Sequence, residues 1–81
     1  MKIKIKYFAF YRDYFKKECE EIVLEKPLNV EDVFKMLLKS SPLKEKLLSS
    51  TLFAVNQEYV DKTHVLQEGD ELIFVPPVSG G

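Results

Sequence analysis

The chain has 81 residues, 46% of them hydrophobic, 12% aromatic and 31% charged, which suits one globular domain whose core is too small to wall a large catalytic cleft alone. Twelve Lys+Arg against thirteen Asp+Glu leave a net charge of −1, without the basic excess of a phosphate-backbone binder, so no nucleic-acid partner is expected. A single cysteine, Cys19, excludes an internal disulfide and any cysteine-built zinc or iron–sulfur site, and it fits a reducing compartment.

The first segment, Met1 to Tyr11, has lysines alternating with isoleucines and only five apolar residues in a row before Arg12. A signal peptide needs about 7–15 apolar residues, and a bilayer span needs about 20. No membrane partner is therefore expected, and the location expected is cytoplasmic. Ile3, Ile5 and Tyr7 face one way and Lys2, Lys4 and Lys6 the other, the period-2 pattern of a half-buried strand. Phe8 and Phe10 follow on the lysine side, so they are either covered or part of an interface. Residues 12–18 read as a loop or short helical turn, and Glu21–Glu25 as a second strand, with Ile22 and Leu24 inward, stopped by Pro27. These two strands are expected to form a hairpin.

Asn29 is placed to cap a helix, with Asp32 three residues on and Glu31 in the first turn. Val30, Val33, Phe34, Leu37 and Leu38 form its apolar stripe, and Ser41-Pro42 ends it and leads into a shorter helix with Leu43, Leu47 and Leu48. Leu52–Val55 reads as a strand with Phe53 and Val55 inward. Asn56-Gln57 turns the chain into a short strand, Glu58–Val60. A polar loop closed by Glu68-Gly69-Asp70 precedes the last strand, Leu72–Val75, whose unbroken apolar run suits the middle of a sheet. This order predicts an α+β roll: a mixed sheet crossed on one face by the main helix, with the first and last strands parallel. The expected division is a domain over 1–75 and an extended tail over 76–81.

Most chemical constellations are missing. His64 is the only histidine and reads as a loop residue, and Cys19 stands among Glu18, Glu20 and Glu21, which disfavour a thiolate. Two of the three glycines are the last two residues, so no Gly-rich phosphate loop is available. Neither a bound cofactor nor a metal is expected. The end of the chain carries more information. Pro76-Pro77 stiffens an extended stem, and six residues at about 3.1 Å each reach on the order of 20 Å to the terminal carboxylate. Gly80 and Gly81 carry no side chains, so the tip is slim enough to thread a narrow tunnel in another protein.

Ala54-Val55-Asn56-Gln57, Glu58-Tyr59-Val60, Leu66-Gln67-Glu68-Gly69-Asp70-Glu71-Leu72 and Phe74-Val75-Pro76-Pro77-Val78-Ser79-Gly80-Gly81 together resemble the family of molybdopterin synthase small subunits. Phe8-Ala9 and Val30-Glu31-Asp32-Val33 extend the resemblance over the whole chain. It implies a β-grasp, ubiquitin-like fold and a sulfur carrier with no catalytic site of its own. In that scheme an E1-like adenylating enzyme uses ATP to activate the Gly81 carboxylate, and a sulfur-delivery protein supplies the sulfur that replaces AMP. The resulting thiocarboxylate enters the large synthase subunit and donates sulfur to cyclic pyranopterin monophosphate. Pro76, Pro77, Val78, Ser79 and Gly80 would thread the tail, and Phe8, Tyr59 and Val75 match the family's partner-binding positions. Alternatives beginning from the same adenylate remain open at this point: a ubiquitin-like modifier, or sulfur delivery to transfer RNA or to thiamin thiazole.

Overall fold

The alternation at the start of the chain builds β1, Lys2–Tyr7, in which Ile3, Ile5 and Tyr7 are buried and Lys2 and Lys4 are exposed. A computed structural model describes residues 1–76 of the chain. The expected stem and tip at residues 77–81 lie outside the described residues. β1 is followed by α1 (Phe10–Phe15), β2 (Cys19–Val23), α2 (Val30–Leu37), α3 (Lys44–Ser50), β3 (Leu52–Val55), β4 (Glu58–Val60) and β5 (Glu71–Val75). The five strands form one mixed sheet in the order β2-β1-β5-β3-β4, with β1 and β5 parallel and the other neighbours antiparallel. The apolar last strand is therefore central, as its sequence predicts.

Asn29 accepts the Asp32 amide at 2.8 Å and so caps α2. The helix then lays Val30, Val33, Phe34 and Leu38 across the inner sheet face, where all four are fully buried and Leu37 is half-buried. Full burial of each such side chain is worth about 1.5–3 kcal/mol. Opposite them stand Ile3, Ile5, Tyr7, Phe53, Val55, Leu72 and Phe74, and ring centroids of Phe34, Phe53 and Phe74 lie 5.1–5.6 Å apart with edges turned to faces. At Gly69, φ is +82°, and the Asp70 amide donates to the Gln67 carbonyl at 3.1 Å, a turn that needs positive φ at its third residue.

Three local expectations change. β2 lies two residues earlier than Glu21–Glu25, because its register on β1 runs from Lys6 opposite Cys19 to Lys2 opposite Val23; Leu24 is buried just after it. Of the two readings expected over 12–18, a loop or a short helical turn, the structure has the helical one, but it starts two residues earlier and runs over Phe10–Phe15, with Tyr11 completely buried. Phe10 consequently belongs to this helix, not to the lysine side of β1. Within the polar loop, Leu66 is also fully buried, since its amide donates to the Leu28 carbonyl at 2.9 Å and ties the loop to the start of α2.

Candidate functional site

Strand parity divides the sheet into an inner face under α2 and an outer face. On the outer face, Lys6, Ile73, Ala54 and Tyr59 lie in one row across β1, β5, β3 and β4. The next row toward the root of the tail pairs Val75 with Leu52. Tyr7 pairs with Phe74, so Phe8, one residue past the end of β1, lies level with Val75. Phe8 is 47% exposed, Leu52 58% and Tyr59 72%, while Val75 and Pro76 are half-buried. Four strand spacings at about 4.8 Å each would span the whole sheet, so these residues form one apolar area roughly three spacings wide.

Of the site residues expected from sequence, Phe8, Tyr59 and Val75 thus share one face, and Pro76 starts the chain's departure from it. Pro77, Val78, Ser79, Gly80 and Gly81 lie outside the described residues. Leu52 and Ile73 belong to the same area and are absent from the sequence-based set. Their signal was available: once Phe53 and Val55 point inward, Leu52 must point outward.

Two buried hydroxyls anchor this end of the sheet. Tyr7 donates to Glu20 and stacks on Phe15 with ring centroids 4.4 Å apart, which joins β1, β2 and α1. Tyr11 Oη and Thr51 Oγ1 are 2.6 Å apart, which fastens α1 beside the start of β3. Burial, followed by the Glu20 carboxylate, pushes the Tyr7 hydroxyl well above its ordinary titration range. Burial also raises Tyr11, against the opposing effect of its Thr51 hydrogen bond. Among the described residues, no group of three or more His, Cys, Asp or Glu side chains is placed to hold a metal ion. No helix among them is long and apolar enough to cross a membrane.

A mixed five-stranded sheet crossed by one main helix, with the last strand central and an apolar outer face at its end, defines a ubiquitin-like β-grasp protein. The fold is that of SAMP1 from Haloferax volcanii, with a TM-score of 0.80 over 100% of both chains at 22% identity. The chain belongs to the ThiS family, whose model matches residues 5–81. It is 34% identical to the molybdopterin synthase sulfur carrier subunit of Chlamydomonas reinhardtii over 100% of both chains. It is also similar, at 26% identity and a TM-score of 0.66 over 100% of both chains, to a chain in the protein–protein complex of subunits 1 and 2 of the molybdopterin-converting factor from Helicobacter pylori.

Proposed function

We propose that this chain is the sulfur-carrying small subunit of a molybdopterin synthase. The observation that carries the reading is the position of β5: a central strand that delivers the chain at Pro76 beside the apolar area of Phe8, Leu52, Tyr59 and Val75. A partner docked there would receive the tail directly. The relatedness to sulfur carrier subunits and the likeness to a chain from a two-subunit complex support the same reading. Residues 1–75 act as the recognition domain and residues 76–81 as the delivery arm.

In this scheme the Gly81 carboxylate attacks the α-phosphorus of ATP on an E1-like enzyme, and pyrophosphate leaves. The carboxylate needs this step because it is a poor electrophile until it carries a good leaving group. Hydrosulfide supplied by a delivery protein then attacks the acyl carbon, AMP leaves with the electron pair of the broken C–O bond, a proton is lost, and a thiocarboxylate remains. The large subunit takes the tail, the sulfur bonds to a carbon of cyclic pyranopterin monophosphate, and water cleaves the acyl–sulfur bond, which returns the Gly81 carboxylate. ATP and the acid–base groups belong to the partners; this chain supplies the donor atom.

The test is incubation with ATP, the activating enzyme and a sulfur source, followed by intact-mass measurement and pterin sulfuration by the large subunit. Wild type should gain the mass difference between sulfur and oxygen. One residue added after Gly81 displaces the reacting carbon by about 3.3–3.6 Å, where reacting atoms must approach to about 3–3.5 Å. Extension, deletion of Gly81, or Gly80→Val should therefore abolish transfer and leave the melting midpoint unchanged. Sulfuration by the extended chain without trimming, or a ladder of lysine adducts in place of sulfuration, would overturn the reading.

A further inference from the structure

The three lysines on the outer face of β1 have different neighbours. Lys4 faces a carboxylate on each side, Glu21 across the pairing with β2 and Glu71 across the pairing with β5. Lys2 stands opposite Val23 at the far end of β1. Lys6 has Cys19 on one side and Ile73 on the other, so neither neighbouring strand sets a carboxylate against it. Among the described residues the one ion pair joins Lys17 to Glu20, and the Lys6 ammonium has no carboxylate partner. Lys6 is also half-buried, whereas Lys2 and Lys4 are exposed.

Its place in the sheet gives this a consequence. Lys6 is the only charged side chain in the row that runs through Cys19, Ile73, Ala54 and Tyr59. Ile73 is one strand spacing away, about 4.8 Å, and Phe8 is two residues along the chain, about 6.6 Å. A standard interface takes about 800 Å² from each side, a disc roughly 30 Å across, so a contact centred on the apolar area encloses Lys6 inside its edge. Water is then removed from around the ammonium. A charge buried alone is strongly unfavourable, and a carboxylate from the other side offsets that loss of hydration.

We infer that Lys6 is a specificity residue of the docking face, and that the large synthase subunit sets a carboxylate against it inside the apolar contact; the inference rests on the function proposed above. The large subunit is the occupant because a solved relative of this chain comes from a complex of subunits 1 and 2. The pair discriminates in both directions. A surface without the carboxylate is refused because it leaves Lys6 buried alone, and the partner's carboxylate refuses a carrier that lacks the cation.

The full chain, Lys6→Met, Lys6→Arg, Lys6→Glu and Lys2→Met are titrated against the purified large subunit, with association and dissociation rates recorded and melting curves to report the fold. Methionine decides the matter, because it keeps an unbranched stem and removes the charge. Opposite a carboxylate it should weaken binding about tenfold or more, chiefly through faster dissociation. Opposite an apolar surface it would bind as tightly as lysine or more tightly. Lys6→Arg should keep most of the affinity, and Lys6→Glu should lose more than Lys6→Met. Lys2→Met, away from the contact, should stay within about twofold of wild type. Should Lys6→Met melt early, Lys6→Gln is read in its place and should change in the same direction. Unchanged or tighter binding by the neutral variant overturns the inference and leaves the functional reading standing. Slower association with unchanged dissociation overturns it too, since Lys6 would then be a rim charge. So does a loss confined to adenylation by the activating enzyme, or to self-association, either of which gives the residue to another occupant. If wild type does not bind the large subunit, both readings fall together.

Discussion

Tyr7 combines an aromatic body inside the core with a hydroxyl that reaches the edge strand. Its ring contacts Phe15 and Phe74, and its hydroxyl donates to Glu20, which also pairs with Lys17 at 3.3 Å. The folded chain holds the Tyr7 and Tyr11 protons more tightly than the unfolded chain, where tyrosine titrates near 10. The stability from this difference is fully present below pH 10 and is lost as pH rises above it, at up to about 1.4 kcal/mol per pH unit for each group. Urea midpoints measured from pH 7 to 11 should be level in their tyrosine-linked part up to about pH 9.5 and then fall. Tyr7→Phe should lower the midpoint at neutral pH and remove about half of that alkaline slope. An unchanged slope would mean that Tyr7 ionises freely in the folded chain.

The strands at the far end of the sheet are coupled by one carboxylate. Asp70, 9% exposed, accepts from Asn56 Nδ2 at 2.9 Å and from the Gln67 amide at 2.8 Å; the Asn56 side chain in turn accepts the Glu71 amide at 3.0 Å. The β3–β4 turn, whose Asn56 and Gln57 both have positive φ, is thereby fastened to the start of β5. Asp70→Ala strands two donors and should cost about 1–3 kcal/mol, while Asp70→Asn, which keeps one acceptor, should cost less. For a domain of this size each kcal/mol corresponds to about 4–8 °C in melting midpoint, so a thermal scan separates the two variants. These bonds are not written in the hydrophobic pattern, although the Glu68-Gly69-Asp70 turn is. The same distinction explains what was legible elsewhere. β1, α2 and the central place of β5 follow from periodicity and capping. β2 slipped by two residues because its inner face carries Glu20, a polar residue satisfied by a tyrosine far along the chain. For α1 the short helical turn was legible but its start was not, because Arg12 and Asp13 mask a single buried anchor, Tyr11. On the outer face, alternation identified Phe8 and also turns Leu52 and Ile73 outward; only the pairing of β3 with β5 shows that they share one area.

At the scale of the molecule, the inner face supplies stability and the outer face remains available for recognition. Phe8 is nearly half exposed and lies past the end of β1, so little of the core depends on it. Phe8→Ala should lower affinity for the large subunit by about 2 kcal/mol or more and move the melting midpoint by only a few degrees. Calorimetric titration beside a thermal scan makes the comparison. A large fall in midpoint with unchanged binding would return Phe8 to the core.

The central position of β5 also has a mechanical consequence. A pull on the chain beyond Pro76 acts along β5, which is laddered to β1 through Glu71–Phe74 and to β3 through Leu72–Val75. An edge strand loaded sideways opens one hydrogen bond after another, like a zip. β5 is loaded lengthwise between two neighbours, so both ladders must slide together before either gives way. A partner drawing the tail into its own interior would be hauling on a strand held along both edges, and the tension would pass into the whole domain instead of unravelling its end.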